Sequence, residues 1–183
     1  DFRFTIQFVC FSGEEEGLLG STQYTSVLAE QEVNLQGLLN LDMIAFTDDE
    51  HEDLSLWSSS SSKWLADAFA SATRDYTELM TYWGEGSSAD AHPFECMGYS
   101  AVMCIEYAGS YWNPYYHTSG DVLATLNSHF AAEVTRAAAA TLIELAGLIL
   151  YPPPSPPLVL TPADRSVTLT WDDSPESALD PYS

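Results

Sequence analysis

Basic residues are scarce in this chain of 183 residues, where five Lys and Arg face 27 Asp and Glu and the formal charge is −22. Such a charge disfavours nucleic acid and anionic membranes as partners. Long apolar runs are also missing, since no stretch approaches the roughly 20 residues that a membrane-spanning helix needs. Hydrophobic residues still make up 46% of the chain, so the composition predicts a globular protein with a sizeable core.

Cysteine is scarce as well. The three cysteines, Cys10, Cys96 and Cys104, are odd in number and lie in or beside apolar segments. We therefore expect buried thiols. A bridge between Cys96 and Cys104 is compatible with the sequence, but the pairing cannot be deduced from it.

Apolar segments with the period of strands alternate with segments that have the period of helices. This order predicts an α/β fold, with a mostly parallel sheet covered by helices on both faces and a site at the carboxyl ends of the strands. The predicted strands cover residues 4–11, 37–44, 54–57, 79–82 and 101–107, and the predicted helices cover residues 17–32, 63–76 and 127–150.

Acidic residues and a histidine follow three of these segments. Glu14, Glu15 and Glu16 come directly after the first predicted strand, Asp42 lies near the end of the second, and His117 precedes Asp121 by four residues. Adjacent carboxylates repel one another unless a cation lies among them. Carboxylate oxygens and imidazole nitrogens are ligands that zinc accepts, so the pattern predicts a metal site.

Four motifs carry a family resemblance: SGEEEGLLGS at 12–21, LNLDMIAF at 39–46, SADAHPF at 88–94 followed by GYSAV, and NPYYHTSGD at 113–121. In this order and spacing they resemble the co-catalytic di-zinc aminopeptidases, a group that includes secreted bacterial leucyl aminopeptidases. The resemblance covers about residues 1–150. It implies a secreted hydrolase that removes N-terminal residues from peptides with a water activated by two zinc ions.

The resemblance assigns a role to each matching residue. Glu14 becomes the general base, Glu15 and His117 ligands of one zinc, and Asp42 a ligand of the second. Glu16 falls at the variable position before Gly17 and is expected to face solvent. Asp121 either orients His117 from behind or caps the following helix.

The sequence also departs from the family pattern. The family has an HxD histidine and a bridging aspartate upstream of its glutamate pair, so we expect the chain to lack the N-terminal part of the domain and to be inactive alone. The usual Ser-Asp-His-x-x-Phe is also altered. Asp90 keeps its place, Ala91 stands where the family has histidine, and His92 either substitutes from the next position or is an ordinary loop residue.

Two further features near the predicted site have open interpretations. Glu106, inside an apolar run, is either a third metal carboxylate or a buried acid that is hydrogen-bonded to the site loops. Aromatic residues crowd the approach to His117 and either form a wall for an apolar substrate side chain or simply pack together; these are Tyr107, Tyr111, Trp112, Tyr115 and Tyr116.

Composition changes at the proline-rich segment 151–157, which predicts a stiff linker after a zinc-dependent peptidase domain at 1–150. Residues 158–183 resemble the beginning of a fibronectin type III domain, with Trp171 at its buried tryptophan position. Such a module implies contact with an extracellular polymer or surface.

The predicted function is that of a metallo-aminopeptidase acting on peptides or proteins. One alternative is the same fold acting as a carboxypeptidase or a glutaminyl cyclase. The other is a receptor or binding ectodomain without metals, which is expected to have lost the acids and the histidine that are intact here.

Overall fold

The computed structural model describes residues 2–47, 53–107 and 112–147. The predicted proline-rich linker and the fibronectin-like segment lie outside these ranges, as does Tyr111. Within them, no helix is both long enough and apolar enough to cross a bilayer.

A four-stranded sheet forms the centre of the fold, in the order β1-β4-β2-β3. β1 pairs with β4 and β2 with β3 in parallel, while β2 and β4 are antiparallel. The predicted α/β class with a mostly parallel sheet is confirmed. The strands are β1 Leu38–Leu41, β2 Asp53–Ser58, β3 Met80–Glu85 and β4 Ala101–Glu106, and the helices are α1 Leu19–Glu30, α2 Lys63–Tyr76, α3 Ala91–Cys96 and α4 Ser128–Ala146.

The central strand β4 separates two cores, because its side chains alternate between the faces of the sheet. Val102 and Cys104 point into a core shared with α2 and α4, which includes Phe69 and Phe130. Met103 and Ile105 point into a second core on the opposite face, where α1 and α3 contribute side chains that include Leu28 and Phe94. Helices therefore cover both faces of the sheet, as the apolar pattern of β4 predicted.

The predicted strand at residues 4–11 is wrong. These residues form no strand, and Phe8 is 88% exposed. The backbone N–H groups of Arg3 and Phe4 donate instead to the carbonyl of Ala146, at 2.9 and 3.3 Å, at the end of α4. A strand needs a neighbour for its backbone groups, and sequence periodicity does not show whether one is available.

The prediction that all three thiols are buried is also wrong. Cys104 is buried, but Cys10 and Cys96 are exposed, and none of the three forms a disulfide. Cys10 is exposed because it belongs to the segment that forms no strand. Cys96 is exposed because it lies on the solvent side of α3.

Glu95 connects α3 to the turn between β2 and α2. Its Oε1 accepts hydrogen bonds from the backbone N–H of Ser59 at 2.9 Å and from the Ser59 hydroxyl at 2.7 Å. Burial raises the pKa of Glu95, but hydrogen bonds from Ser59, Ser87 and Ser62 outweigh it and leave this pKa below the ordinary 4.5. The ionised carboxylate thus helps to fix α3 against the sheet.

Glu95→Gln is expected to destabilise the protein at neutral pH by about 1 kcal/mol, because hydrogen bonds to a neutral amide are weaker than those to a carboxylate. The lowered pKa makes this contribution present above pH 4.5 and lost as pH falls through the folded-state value. Urea unfolding at several pH values measures the effect. A difference between wild type and variant that is independent of pH would contradict the assigned role of the charge.

Candidate active site

Residues 13–18, which we call the glutamate turn, connect the segment that ends at Ser12 to helix α1. Its backbone closes on itself, since the N–H groups of Gly17 and Leu18 donate to the carbonyl of Glu14 at 3.1 and 2.9 Å. Beneath it, Phe11 packs against Tyr24 of α1 and Phe94 of α3, with ring centroids 5.6 and 5.9 Å apart. The apolar residue before the acids therefore anchors the turn in the second core.

Asp42 and Glu106 follow or end two neighbouring strands that run in the same direction. Asp42 comes directly after β1, where its N–H donates to the carbonyl of Cys104 at 3.0 Å. Glu106 is buried, and its Oε2 accepts from the N–H groups of Phe46 at 2.8 Å and Ala45 at 3.3 Å. Glu106 is therefore a buried acid that is hydrogen-bonded to a site loop, which was the second of its two interpretations.

His117 reaches the glutamate turn from the far end of the chain. Its Nε2 lies 2.6 Å from Oε1 of Glu15, across 102 residues of sequence. The ring of Tyr116 stacks on the imidazole with centroids 3.8 Å apart and an angle of 19° between the planes. Trp112 in turn meets Tyr116 edge-on at 5.0 Å. The predicted pairing of Glu15 with His117 is thus present as a contact between the two side chains.

Acids from separate segments influence one another electrostatically. Burial, followed by the charges of Glu15, Asp42 and Asp90, raises the pKa of Glu14, and His117 lowers it. Burial, followed by Asp90 and Glu15, raises the pKa of Asp42. Partial burial and the charges of Glu15, Glu14 and Asp42 also raise the pKa of the Tyr116 phenol. Four carboxylates therefore act on one another here, and we call Glu14, Glu15, Asp42 and Asp90 the acid cluster.

Asp90 belongs to this cluster, although no role was predicted for it. It precedes α3, where its side chain makes no capping hydrogen bond. Asp90 is 9% exposed, and its buried Oδ1 has no hydrogen-bond partner within the described ranges. The signal was available, because Asp90 keeps its place in the altered family motif.

Left-handed backbone marks the borders of the site. Within the described ranges, five residues other than glycine have positive φ. Four of them, Leu18, Met43, Ala89 and His117, lie beside the site with φ between 47° and 60°, and the fifth, Glu32, follows α1. Such a conformation is uncommon for residues with a side chain and tends to occur at functional sites. Leu18 ends the glutamate turn, Met43 follows Asp42, Ala89 precedes Asp90, and His117 is the histidine of the site.

Three other residues considered from the sequence are not members of the acid cluster. Glu16 is exposed, as predicted. Asp121 caps neither following helix, since Val122 precedes the short 3-10 turn and Asn127 caps α4, so the capping alternative is wrong. His92 lies in α3 rather than in a loop, and the described contacts of its ring are with Ser87 and Cys96.

The donor set has the chemistry of a zinc site but is not complete. Among residues 2–47, 53–107 and 112–147, no three His, Cys, Asp or Glu side chains form a group that could hold a metal ion. Glu15 and His117 offer one oxygen and one nitrogen. Two donors on a tetrahedral zinc lie about 3.4 Å apart, so an ion would replace their hydrogen bond. Both side chains are more than half exposed, at 64% and 54%, and can rotate to do so.

Comparison with known proteins identifies the family. Residues 1–142 match the model of Peptidase family M28, and the chain belongs to that family. A curated relative is a probable leucine aminopeptidase from Arthroderma otae, which is 28% identical over 148 residues, covering 78% of this chain and 39% of that protein.

Solved structures confirm the fold. The LapA aminopeptidase of Legionella pneumophila has a TM-score of 0.69 at 23% identity, covering 76% of this chain and 38% of its own. BSAP, a zinc aminopeptidase from Bacillus subtilis, has a TM-score of 0.63 at 23% identity, covering 74% and 34%. A glutaminyl cyclase from an Acidobacteriales bacterium has a TM-score of 0.57 at 18% identity, covering 80% and 50%. The chain spans less than two fifths of the length of the aminopeptidases it matches.

Gly20, in the first turn of α1, determines how closely the glutamate turn can approach the helix. A Cβ at this position would lie 2.6 Å from the backbone oxygen of Ser12 and 2.8 Å from its nitrogen. The N–H of Gly20 also donates to that oxygen at 2.9 Å. Because both close atoms belong to the backbone, a side chain cannot be accommodated by a rotamer change.

Gly20→Ala is therefore expected to displace the glutamate turn and to destabilise the protein by about 1–3 kcal/mol. Urea unfolding measures the loss, and the matched control is Gln23→Ala, an exposed change in the same helix. Equal stability of the two variants would show that the packing of Gly20 against Ser12 does not fix the turn.

Proposed function

We propose that this chain carries part of the active site of a metallo-aminopeptidase. The observation that carries the proposal is the contact of His117 with Glu15 at 2.6 Å, across 102 residues of sequence, with Glu14 and Asp42 close enough for their charges to interact with this pair. Glu15 and His117 would hold one zinc and Asp42 a second. Zinc, when bound, supplies the Lewis acidity that activates a water molecule and polarises the scissile carbonyl.

Glu14 is suited to the role of general base. The raised pKa of Glu14 comes from burial and from its acidic neighbours, and a carboxylate with a raised pKa accepts a proton more readily. In the proposed reaction Glu14 takes a proton from the attacking water and passes it to the leaving amine as the peptide C–N bond breaks. Its side chain is partly buried, whereas that of Glu15 is exposed and free to turn towards a ligand.

The charge of the site favours an aminopeptidase over a carboxypeptidase. With zinc bound to Glu15 and Asp42, the carboxylates of the acid cluster that remain to attract the α-ammonium group of a peptide are those of Glu14 and Asp90. The basic side chains in the described part of the chain contact other regions: Lys63 pairs with Asp67, Arg74 with Asp75 and Arg136 with Glu133, and Arg3 lies against Gly147. The exposed Trp112, Tyr115 and Tyr116 support a substrate with an apolar first side chain.

Three neighbouring glutamates allow a matched test of the roles. In the full-length protein, we expect Glu14→Gln to keep bound zinc and to reduce kcat on leucine anilide by about two to four orders of magnitude, because general-base catalysis contributes that much. Glu15→Gln should lose zinc, as should His117→Ala. Glu16→Gln is the control and should change neither quantity.

Zinc content and turnover are measured on the same preparations. Unchanged turnover of Glu14→Gln at equal zinc content would refute the assignment of the base. Cleavage of N-acetyl-leucine anilide as fast as of the free-amine substrate would refute the aminopeptidase assignment, and cyclisation of an N-terminal glutamine without hydrolysis would favour the cyclase.

A further inference from the structure

Strand β3 forms one edge of the sheet. It is the last strand in the order β1-β4-β2-β3, and within the described part of the chain no segment pairs with its outer side. An open edge offers unpaired N–H and C=O groups to another strand. The strand at the opposite edge, β1, is shorter, and only its last residue, Leu41, is exposed. Of the two edges, β3 is therefore the one that is open to a further strand.

The hydrogen bonds between β2 and β3 show which residues of β3 face outward. The N–H of Gly86, directly after β3, donates to the carbonyl of Ser58 at 3.0 Å. Successive residues of a strand direct their backbone groups to opposite sides, so Tyr82 and Gly84 also bond to β2, with which β3 is in parallel register. The residues whose backbone groups point outward are Thr81, Trp83 and Glu85.

β3 lacks the features by which natural edge strands avoid pairing. It contains neither Lys nor Pro, and in a chain with a formal charge of −22 its one charged residue is Glu85, at its end. Its apolar side chains are exposed, with Met80 at 58%, Tyr82 at 43% and Trp83 at 39%. An open apolar edge of this kind predicts association with another strand.

Two copies of β3 are complementary in an antiparallel pair centred on Trp83. In this register Trp83 lies opposite Trp83 of the second copy, and Thr81 lies opposite Glu85. Each of these pairs exchanges two backbone hydrogen bonds, so every outward backbone group of β3 obtains a partner. No carboxylate faces another carboxylate across the pair, so the negative charge of the chain does not oppose the contact itself.

The side chains on the other face of the strand fit the same register. Tyr82 comes opposite Gly84 of the second copy. The indole of Trp57 lies against this glycine, so close that a Cβ there would be 3.0 Å from Cε3 and Cζ3 of the ring. The Tyr82 ring of one copy therefore meets the Trp57 indole of the other. Aromatic cross-strand contacts of this kind stabilise paired strands.

We propose that this protein forms a symmetric dimer in which two β3 strands pair in this antiparallel register and continue the sheet from one copy into the other. A two-fold axis at Trp83 makes the contact isologous. Six residues of each copy form a small interface compared with the roughly 20–30 residues a side of a stable complex, so the dimer is weak and depends on protein concentration. The inference is independent of the proposed peptidase function, because β3 contributes no member of the acid cluster.

Sedimentation equilibrium of the full-length protein measures the dimer, and substitutions of Thr81 test its register. Thr81→Lys places an ammonium group opposite Glu85 of the second copy and should lower the dimer Kd by roughly two- to thirty-fold, because two such pairs form in each dimer. Thr81→Glu places like charges opposite each other and should raise the Kd by a similar factor. Thr81→Pro removes an outward N–H while leaving the bonds to β2 intact, and should raise the Kd by roughly five-fold or more.

The matched controls are Thr22→Lys and Thr22→Glu, which make the same changes of charge at an exposed position of α1 and show the effect of net charge alone. Thermal melts verify that each variant is folded. A protein that is monomeric throughout the micromolar range would overturn the proposal. So would Thr81→Lys and Thr81→Glu variants whose Kd shifts no more than in their Thr22 counterparts, because the dimer would then use another surface.

Discussion

Repulsion among carboxylates is the constraint on which the arrangement of this molecule depends. Glu14, Glu15, Asp42 and Asp90 come from three segments. Burial and, after it, the charges of the neighbouring acids raise the pKa of Glu14 and of Asp42, and the described basic side chains contact other parts of the surface. Folding must therefore hold like charges together, at a cost that packing elsewhere has to offset. The two cores on either side of β4 supply that packing, and they position the segments from which the acids project.

Backbone strain adds to the unfavourable energy of this charge repulsion. Leu18, Met43, Ala89 and His117 adopt left-handed conformations that disfavour residues with a Cβ. Met43 and Ala89 pack against the second core, and the ring of Tyr116 stacks on that of His117. Backbone strain and electrostatic repulsion therefore occur together around the acid cluster. This is the pattern expected where stability has been lost in favour of function.

Much of this arrangement could be predicted from the sequence. Helix α2 has the predicted bounds, because its apolar residues repeat with a strong helical period. The family resemblance assigned Glu15 and His117 to one zinc, and the two side chains are in contact across 102 residues. Whether residues 4–11 form a strand could not be decided from their own apolar pattern, because a strand also needs a neighbouring segment with which its backbone can pair. The exposure of Cys96 depended on which side of a short helix faces the core, and six residues are too few to define that side from sequence.

The altered motif before α3 illustrates how one position decides a histidine's environment. Successive residues in a helix point about 100° apart, so moving the imidazole from position 91 to 92 takes it from the core side to the solvent side. Ala91 is 2% exposed and packs in the second core, whereas the ring of His92 meets Ser87 and Cys96 outside. His92 therefore does not replace the family's histidine by a small shift. Instead, its new position brings it next to a thiol four residues away, a contact that a histidine at position 91 would not make.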